Sequence, residues 1–129
     1  MNLLNQTLGI HDQALQVKGR RLEVLAQNIA NADTPSYKAR DIDFKAVLNS
    51  AQSQDLSLVA TRNQHYSTGE ASGESGLLYR VPFNTSFDGN TVEMSLEQAQ
   101  YGKAAADYQA TLQFLENRIS GLRKALRGD

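Results

Sequence analysis

Few residues in this chain have both the type and the spacing that chemistry requires. His11 and His65 are far apart in sequence and have no neighbours at metal-ligand spacing, so each reads as a solvated or packed side chain. Asp41 and Asp43 fall on opposite faces of a strand, or side by side on a capped turn, where capping suits them better than general acid–base work. STGEASGESG at 67–76 lacks the Lys-Ser/Thr end that lets a glycine-rich loop hold phosphate. Thr34, Ser36 and Tyr37 make no nucleophile arrangement. Tyr101 and Tyr108 are seven residues apart and read as packing residues. Lys18, Arg20 and Arg21 form a short basic cluster, either a solvated helix face or one side of an interface salt bridge. The pattern points away from catalysis and calls for no cofactor, metal or small-molecule substrate.

The bulk composition narrows the class further. Thirteen basic residues against fourteen acidic ones leave a formal charge of -1, which offers no pull towards nucleic acid or an anionic membrane. The absence of cysteine excludes disulfides, thiolate zinc sites and thiol catalysis, and suits a chain that unfolds for export. A hydrophobic fraction of 40% with no tryptophan makes a lean core for one domain. No stretch reaches the ~18 apolar residues of a membrane span. MNLLNQTLGI lacks a basic start, and Asp12 breaks the apolar run, so no cleaved signal peptide is expected.

Three segments must position whatever the chain presents: 1–49, 50–90 and 91–129. The first opens with a long amphipathic helix over about 3–31. Leu8, Leu15, Leu22 and Ile29 repeat every seven residues, with Leu4 and Leu25 beside them. Leu3, Ile10, Val17 and Val24 make a second ridge on roughly the opposite side, so the helix needs two different neighbours. Asn31, Asp33, Thr34 and Pro35 end it. Asp41 or Asp43 then caps a short helix carrying Phe44, Val47 and Leu48. The middle segment is rich in Ser, Gly, Thr and Asn and reads as irregular or β-rich and flexible. Leu56, Leu58 and Ala60 alternate as in a strand, 77–83 predicts a short edge strand, and Asp88-Gly89-Asn90 predicts a turn.

The last segment is the clearest helix. Tyr101, Tyr108, Leu115 and Leu122 repeat at seven, and Ala105, Leu112, Ile119 and Leu126 repeat four residues later, making an a/d seam. Ser95 with Gln98 predicts a capping box, and Gly128 a stop. The fold class is therefore mainly α. Long N- and C-terminal helices pack together in a coiled-coil-like pair, with a small irregular or β-rich insertion between them. Burying one stripe offsets only part of the entropy of ordering such helices. The second ridge and Phe114 remain over after one pairing, and leftover apolar stripes mark partner surfaces.

Two stretches carry a resemblance. NIANADTPSYKARDIDF (28–44) resembles the N-terminal signature of the flagellar rod and hook axial protein family, and its turn holds Asn28, Asn31, Asp33, Thr34, Pro35 and Tyr37. LLYRVPFNTSFDGNTVEMSLEQAQYGKAAADYQ (77–109) is similar to the C-terminal region of proximal-rod members, where a DGN-T-V-x-M turn opens the last helix. With flanking helices the likeness covers about three-quarters of the chain. Ser36 stands where family members usually carry Gly, and Ala104 where relatives often carry Asn. The resemblance implies a structural subunit of the bacterial flagellar basal body. Such a subunit leaves unfolded through the flagellar type III export gate and assembles with copies of itself in the periplasm. The resulting helical tube links the MS ring to the distal rod, transmits torque and surrounds the export channel. The other implied partners are FlgC and the FliE adaptor. The terminal helix ridges and the seam are the expected assembly interfaces. The alternative is a soluble coiled-coil adaptor or export chaperone that forms a small closed oligomer.

Overall fold

The structure, a computed structural model, describes residues 3–54 and 76–128, with side-chain detail over 8–50 and 76–128. Five elements follow in order: α1 (Leu3–Ala30), β1 (Arg40–Ile42), α2 (Phe44–Gln54), β2 (Leu77–Tyr79) and α3 (Met94–Arg127). The strand expected around Leu56–Ala60 lies outside the described residues, as does His65.

The two long helices form an antiparallel hairpin. His11 lies against Arg118, Lys18 against Thr111, Arg21 against Gln100 and Asn28 against Glu97, so positions rise on one helix as they fall on the other. At 28 and 34 residues the helices run for about 42 and 51 Å. No described helix is long and apolar enough to cross a membrane.

Both helices end by mechanisms the residues dictate. The Asn31 N–H donates to the Gln27 and Asn28 carbonyls, and its side-chain amide donates to Gln27 as well. Pro35 follows, where helix cannot continue. Gly128 takes φ 75 and returns its N–H to the Lys124 carbonyl, as a left-handed C-terminal glycine does. The predicted capping box at Ser95 does not form. The helix begins two residues earlier than that cap implies, at Met94, and Glu93 stands at its N-cap with no side-chain cap bond. Glu93 instead accepts the Phe83 and Asn84 N–H groups of the preceding loop. Asp43 caps α2 through the Ala46 N–H, while Asp41 serves elsewhere.

β1 and β2 pair antiparallel, with Arg40 opposite Tyr79, Asp41 opposite Leu78 and Ile42 opposite Leu77. This two-stranded ribbon and α2 pack on α1. Val17 of the second ridge meets Ile42 and Val47 around a shallow pocket, so the chain supplies part of that ridge's neighbour itself.

The described core is small and unusually mixed. Val24, Leu25, Ala39, Ile42 and Ala104 are its buried apolar residues, and Asn28, Asn90, Thr91, Glu97 and Thr111 are buried beside them. The seam on α3 is therefore rotated from its predicted position. Glu97, Ala104 and Thr111, again seven apart, make the buried line. Ala105, Tyr108, Leu115 and Leu122 flank it half-buried, whereas Tyr101, Leu112, Ile119 and Leu126 are exposed. Lys18 is the cause at Thr111: its ammonium donates to the Thr111 hydroxyl at 2.7 Å and lies 5.6 Å from the Phe44 ring centroid, drawing a polar line inward. Ala104 is buried, so a larger polar residue there would need room that this hairpin fills with its own helices.

Gly102 has open space where a Cβ would stand and an ordinary helical backbone. Gly102→Ala is expected to raise stability by roughly 0.5–1 kcal/mol through helix propensity. A urea midpoint unchanged or lowered in the isolated protein would show that the position has a hidden contact.

Candidate functional site

The two stretches that resemble one family meet in space as a single buried polar latch. Its pivot is Asn28, wholly buried on the last turns of α1. The Asn28 amide donates to the Arg40 carbonyl at 2.6 Å and to Glu97 Oε2 at 3.1 Å. Its carbonyl oxygen accepts from the Arg40 N–H at 3.1 Å and the Tyr37 hydroxyl at 3.2 Å. One side chain thus pairs both backbone groups of Arg40, as a neighbouring strand would, and ties β1 to both long helices.

Asn90 plays the matching part from the other stretch. Its amide donates to three carbonyls of the α1 exit turn, those of Asn31, Ala32 and Thr34, at 2.8–2.9 Å. Its own carbonyl oxygen accepts from the Val92 N–H. Thr91 completes the join: its hydroxyl accepts from the Ala39 N–H at 2.8 Å, and its own N–H donates to the Tyr37 carbonyl. The turn leading here needs left-handed backbone at Gly89 (φ 79) and, facing it, at Ser36 (φ 60). Ser36 therefore occupies a conformation that glycine adopts more cheaply.

Charge is gathered beside these amides. Asp41 on β1 accepts two bonds from Arg21, at 2.9 and 3.1 Å, and one from Arg80 at 2.9 Å. Arg80 also donates to Glu97, which is fully buried. Arg21 reaches on to Gln100. Burial alone would raise the Asp41 carboxyl, but the bonds from Arg21, the Ile42 N–H and Arg80 outweigh it and hold it below the ordinary carboxylate range. The Asp41 hydrogen bond in turn raises the Arg21 guanidinium, against the opposing effect of burial. Every buried side-chain nitrogen and oxygen among the described residues has a partner.

The side chains of this site are engaged in hydrogen bonds and ion pairs that tie α1, β1, β2 and α3 together. No group of three metal-ligating side chains occurs among the described residues. Of the predicted turn residues, Asn28 and Tyr37 enter the latch, Asn31 and Thr34 lend it backbone carbonyls, and Asp33 and Pro35 are exposed. Lys18 and Arg21, read from sequence as a solvated face or an intermolecular salt bridge, spend their charge inside the chain because β1 and α3 bring carboxylate and hydroxyl to them; only Arg20 of the three is exposed. Arg80, Glu97 and Gln100 escaped the sequence reading, since nothing local marks a charge whose partner lies on another element.

The family described as flagella basal body rod protein matches residues 8–38, which contain most of α1 and the exit turn. The chain is 46% identical over 122 residues to the flagellar basal body rod protein FlgB of Cereibacter sphaeroides, covering 95% of this chain and 94% of that one. It is 43% identical to FlgB of Aeromonas hydrophila over 97% of this chain and 96% of the other. It is 37% identical to FlgB of Salmonella typhimurium over 99% and 98%. The chain belongs to the FlgB family of flagellar basal body rod proteins. In this chain the latch joins the two stretches that carried the resemblance.

Three outcomes test the latch. Asn28→Ala leaves four partners unpaired and should cost about 2–4 kcal/mol by urea unfolding; a loss under about 1 kcal/mol would contradict the role given to it. Asp41 has a lower pKa folded than unfolded, so its contribution is complete above the unfolded value near ~4 and is lost as pH falls through the folded value. Asp41→Asn should be less stable near neutrality and lose less than wild type between about pH 6 and about pH 3; parallel curves would contradict this. Ser36→Gly should raise stability by up to ~1 kcal/mol, and a drop of that size would mean the Ser36 hydroxyl bond to the Asp88 carbonyl outweighs the backbone term.

Proposed function

We propose that this rod protein is a self-assembling subunit of the proximal rod. Copies of the hairpin pack side by side as a helical tube that links the MS ring to the distal rod, transmits torque and surrounds the export channel. FlgC, the FliE adaptor and the MS ring are its neighbours in that reading. The chain reaches the periplasm unfolded through the flagellar type III export gate.

One observation supports this beyond family membership. The seam of α3 is only half used by the hairpin. Leu112 and Ile119, 36% and 39% exposed, and Leu126, 84% exposed, stand in register along one face, with Tyr101 about three turns before Leu112. On α1, Ile10 is exposed as well. An isolated monomer leaves part of this leucine and isoleucine ridge in water, whereas neighbouring copies bury the remainder. The small mixed core fits the same account: a chain that must pass unfolded through a gate is better served by modest stability alone and full stability in the assembly.

In cells lacking their own FlgB, this chain should restore swimming and appear in purified basal bodies. Leu112→Ser with Ile119→Ser should fold, be exported and fail to enter rods. Normal rods built from that variant would contradict the assembly role of the α3 ridge.

A further inference from the structure

We propose that Asp88 is a latent site of aspartyl isomerisation, held shut by the folded turn and open in the unfolded chain. Asp88-Gly89 is the only Asp-Gly or Asn-Gly pair in the sequence. In such a pair the glycine carries no side chain to hinder its nitrogen as it turns back on the preceding carboxyl. The Gly89 nitrogen attacks Cγ of the protonated Asp88 carboxyl. An N–Cγ bond forms, a Cγ–O bond breaks, and one water leaves with the amide proton, giving a five-membered imide. One water then adds back. Addition at Cγ restores aspartate. Addition at the former main-chain carbonyl breaks its bond to nitrogen, and the chain then runs through Cγ as isoaspartate. Water is the sole co-reactant, nothing is oxidised or reduced, and the mass is unchanged.

Exposure alone would mark Asp88 as reactive, since the residue stands in solvent. Its hydrogen bonds point the other way. The peptide unit that must rotate joins the Asp88 carbonyl to the Gly89 nitrogen, and it is pinned at both ends. Its oxygen accepts from the Ser36 N–H at 2.9 Å and the Ser36 hydroxyl at 3.3 Å, and its N–H donates to the Ser86 carbonyl at 2.9 Å. The attacked carboxyl is tied as well, for Asp88 Oδ1 accepts from the Asn90 N–H at 3.0 Å. Lys38 donates to the Gly89 carbonyl at 2.7 Å, and Asn90 is seated on the exit turn of α1. Cyclisation has to break the bonds on that peptide unit together, so it waits on local opening of the turn. In the unfolded chain none of these bonds exists. On the export reading, that is the state in which the chain travels. Isoaspartate at 88 puts one more atom into the main chain between Ser86 and Asn90. Asn90 is 1% exposed and bonds three carbonyls through one amide, so the site has no slack for the extra atom. A chain modified while unfolded therefore closes its latch poorly.

The test holds the full chain at neutral pH for several days, folded in buffer and unfolded in guanidinium chloride. The tryptic peptide 81–103 is then read for isoaspartate at 88 by isoaspartyl methyltransferase labelling and electron-transfer fragmentation. The folded chain should isomerise at least roughly tenfold more slowly than the unfolded one, because only the opened turn reacts. Equal rates would overturn the protection assigned to the turn. Gly89→Ala, compared only in guanidinium chloride so that folding plays no part, should slow the reaction at 88; an unchanged rate would contradict the ring closure. Chains carrying isoaspartate, once returned to buffer, should unfold at lower urea than unmodified chains taken through the same denaturation. A shared midpoint would contradict the fit required at Asn90. Entry into basal bodies is read separately by the cell experiment above, and none of these results bears on it.

Discussion

A carboxylate with no exposed surface, Glu97, sits at the centre of this molecule between Asn28 and Arg80. Burying such a charge is costly unless it is both paired and hydrogen-bonded. The rest of the fold can be understood as the set of elements needed to meet that condition. Arg80 reaches Glu97 only if β2 pairs with β1, and Asn28 only if α1 lies antiparallel to α3. Asp41 then divides Arg80 with Arg21, so the charges of four separate segments balance in one place. The register of the hairpin follows from this cluster more than from the thin apolar line beside it, since sliding α3 by one turn would strand Glu97.

This arrangement explains why long helices coexist with a small core. The latch fixes one end of the hairpin. Towards the other end the helices touch through Lys18, Thr111 and His11–Arg118, contacts of modest strength. Their apolar side chains there are left to be covered by something else. The latch is complete only with both terminal parts of the chain in place: until α3 arrives, Asn28 and Arg80 lack their bonds to Glu97.

Much of the fold was legible because periodicity is local. Seven-residue spacing placed both long helices, Asn31 to Pro35 placed the exit turn, and Asp88-Gly89-Asn90 placed the turn before α3. Asp43 capped α2 as its spacing allowed. The rotation of the seam was not legible, because a heptad count registers Tyr101 and Leu112 as apolar without registering that Lys18 would draw Thr111 inward. Nor was the latch. Asn28 and Asn90 look like ordinary helix-end and turn residues in sequence, and their worth comes from carbonyls that chain folding brings alongside. Residues 77–83 were read as a short edge strand because of Pro82; the strand ends at Tyr79, and alternation cannot say which face an inward arginine will choose.

The coupling between Arg80 and Glu97 tests this account most directly. Arg80→Met and Glu97→Leu, alone and together, can be compared by urea unfolding of the isolated protein. Each single change strands a buried or half-buried charge and should cost about 3–5 kcal/mol, while the double change should cost much less than the two combined, a coupling of about 1–3 kcal/mol. Costs that simply add would mean that the two charges do not depend on each other and that the hairpin is held by its apolar contacts instead.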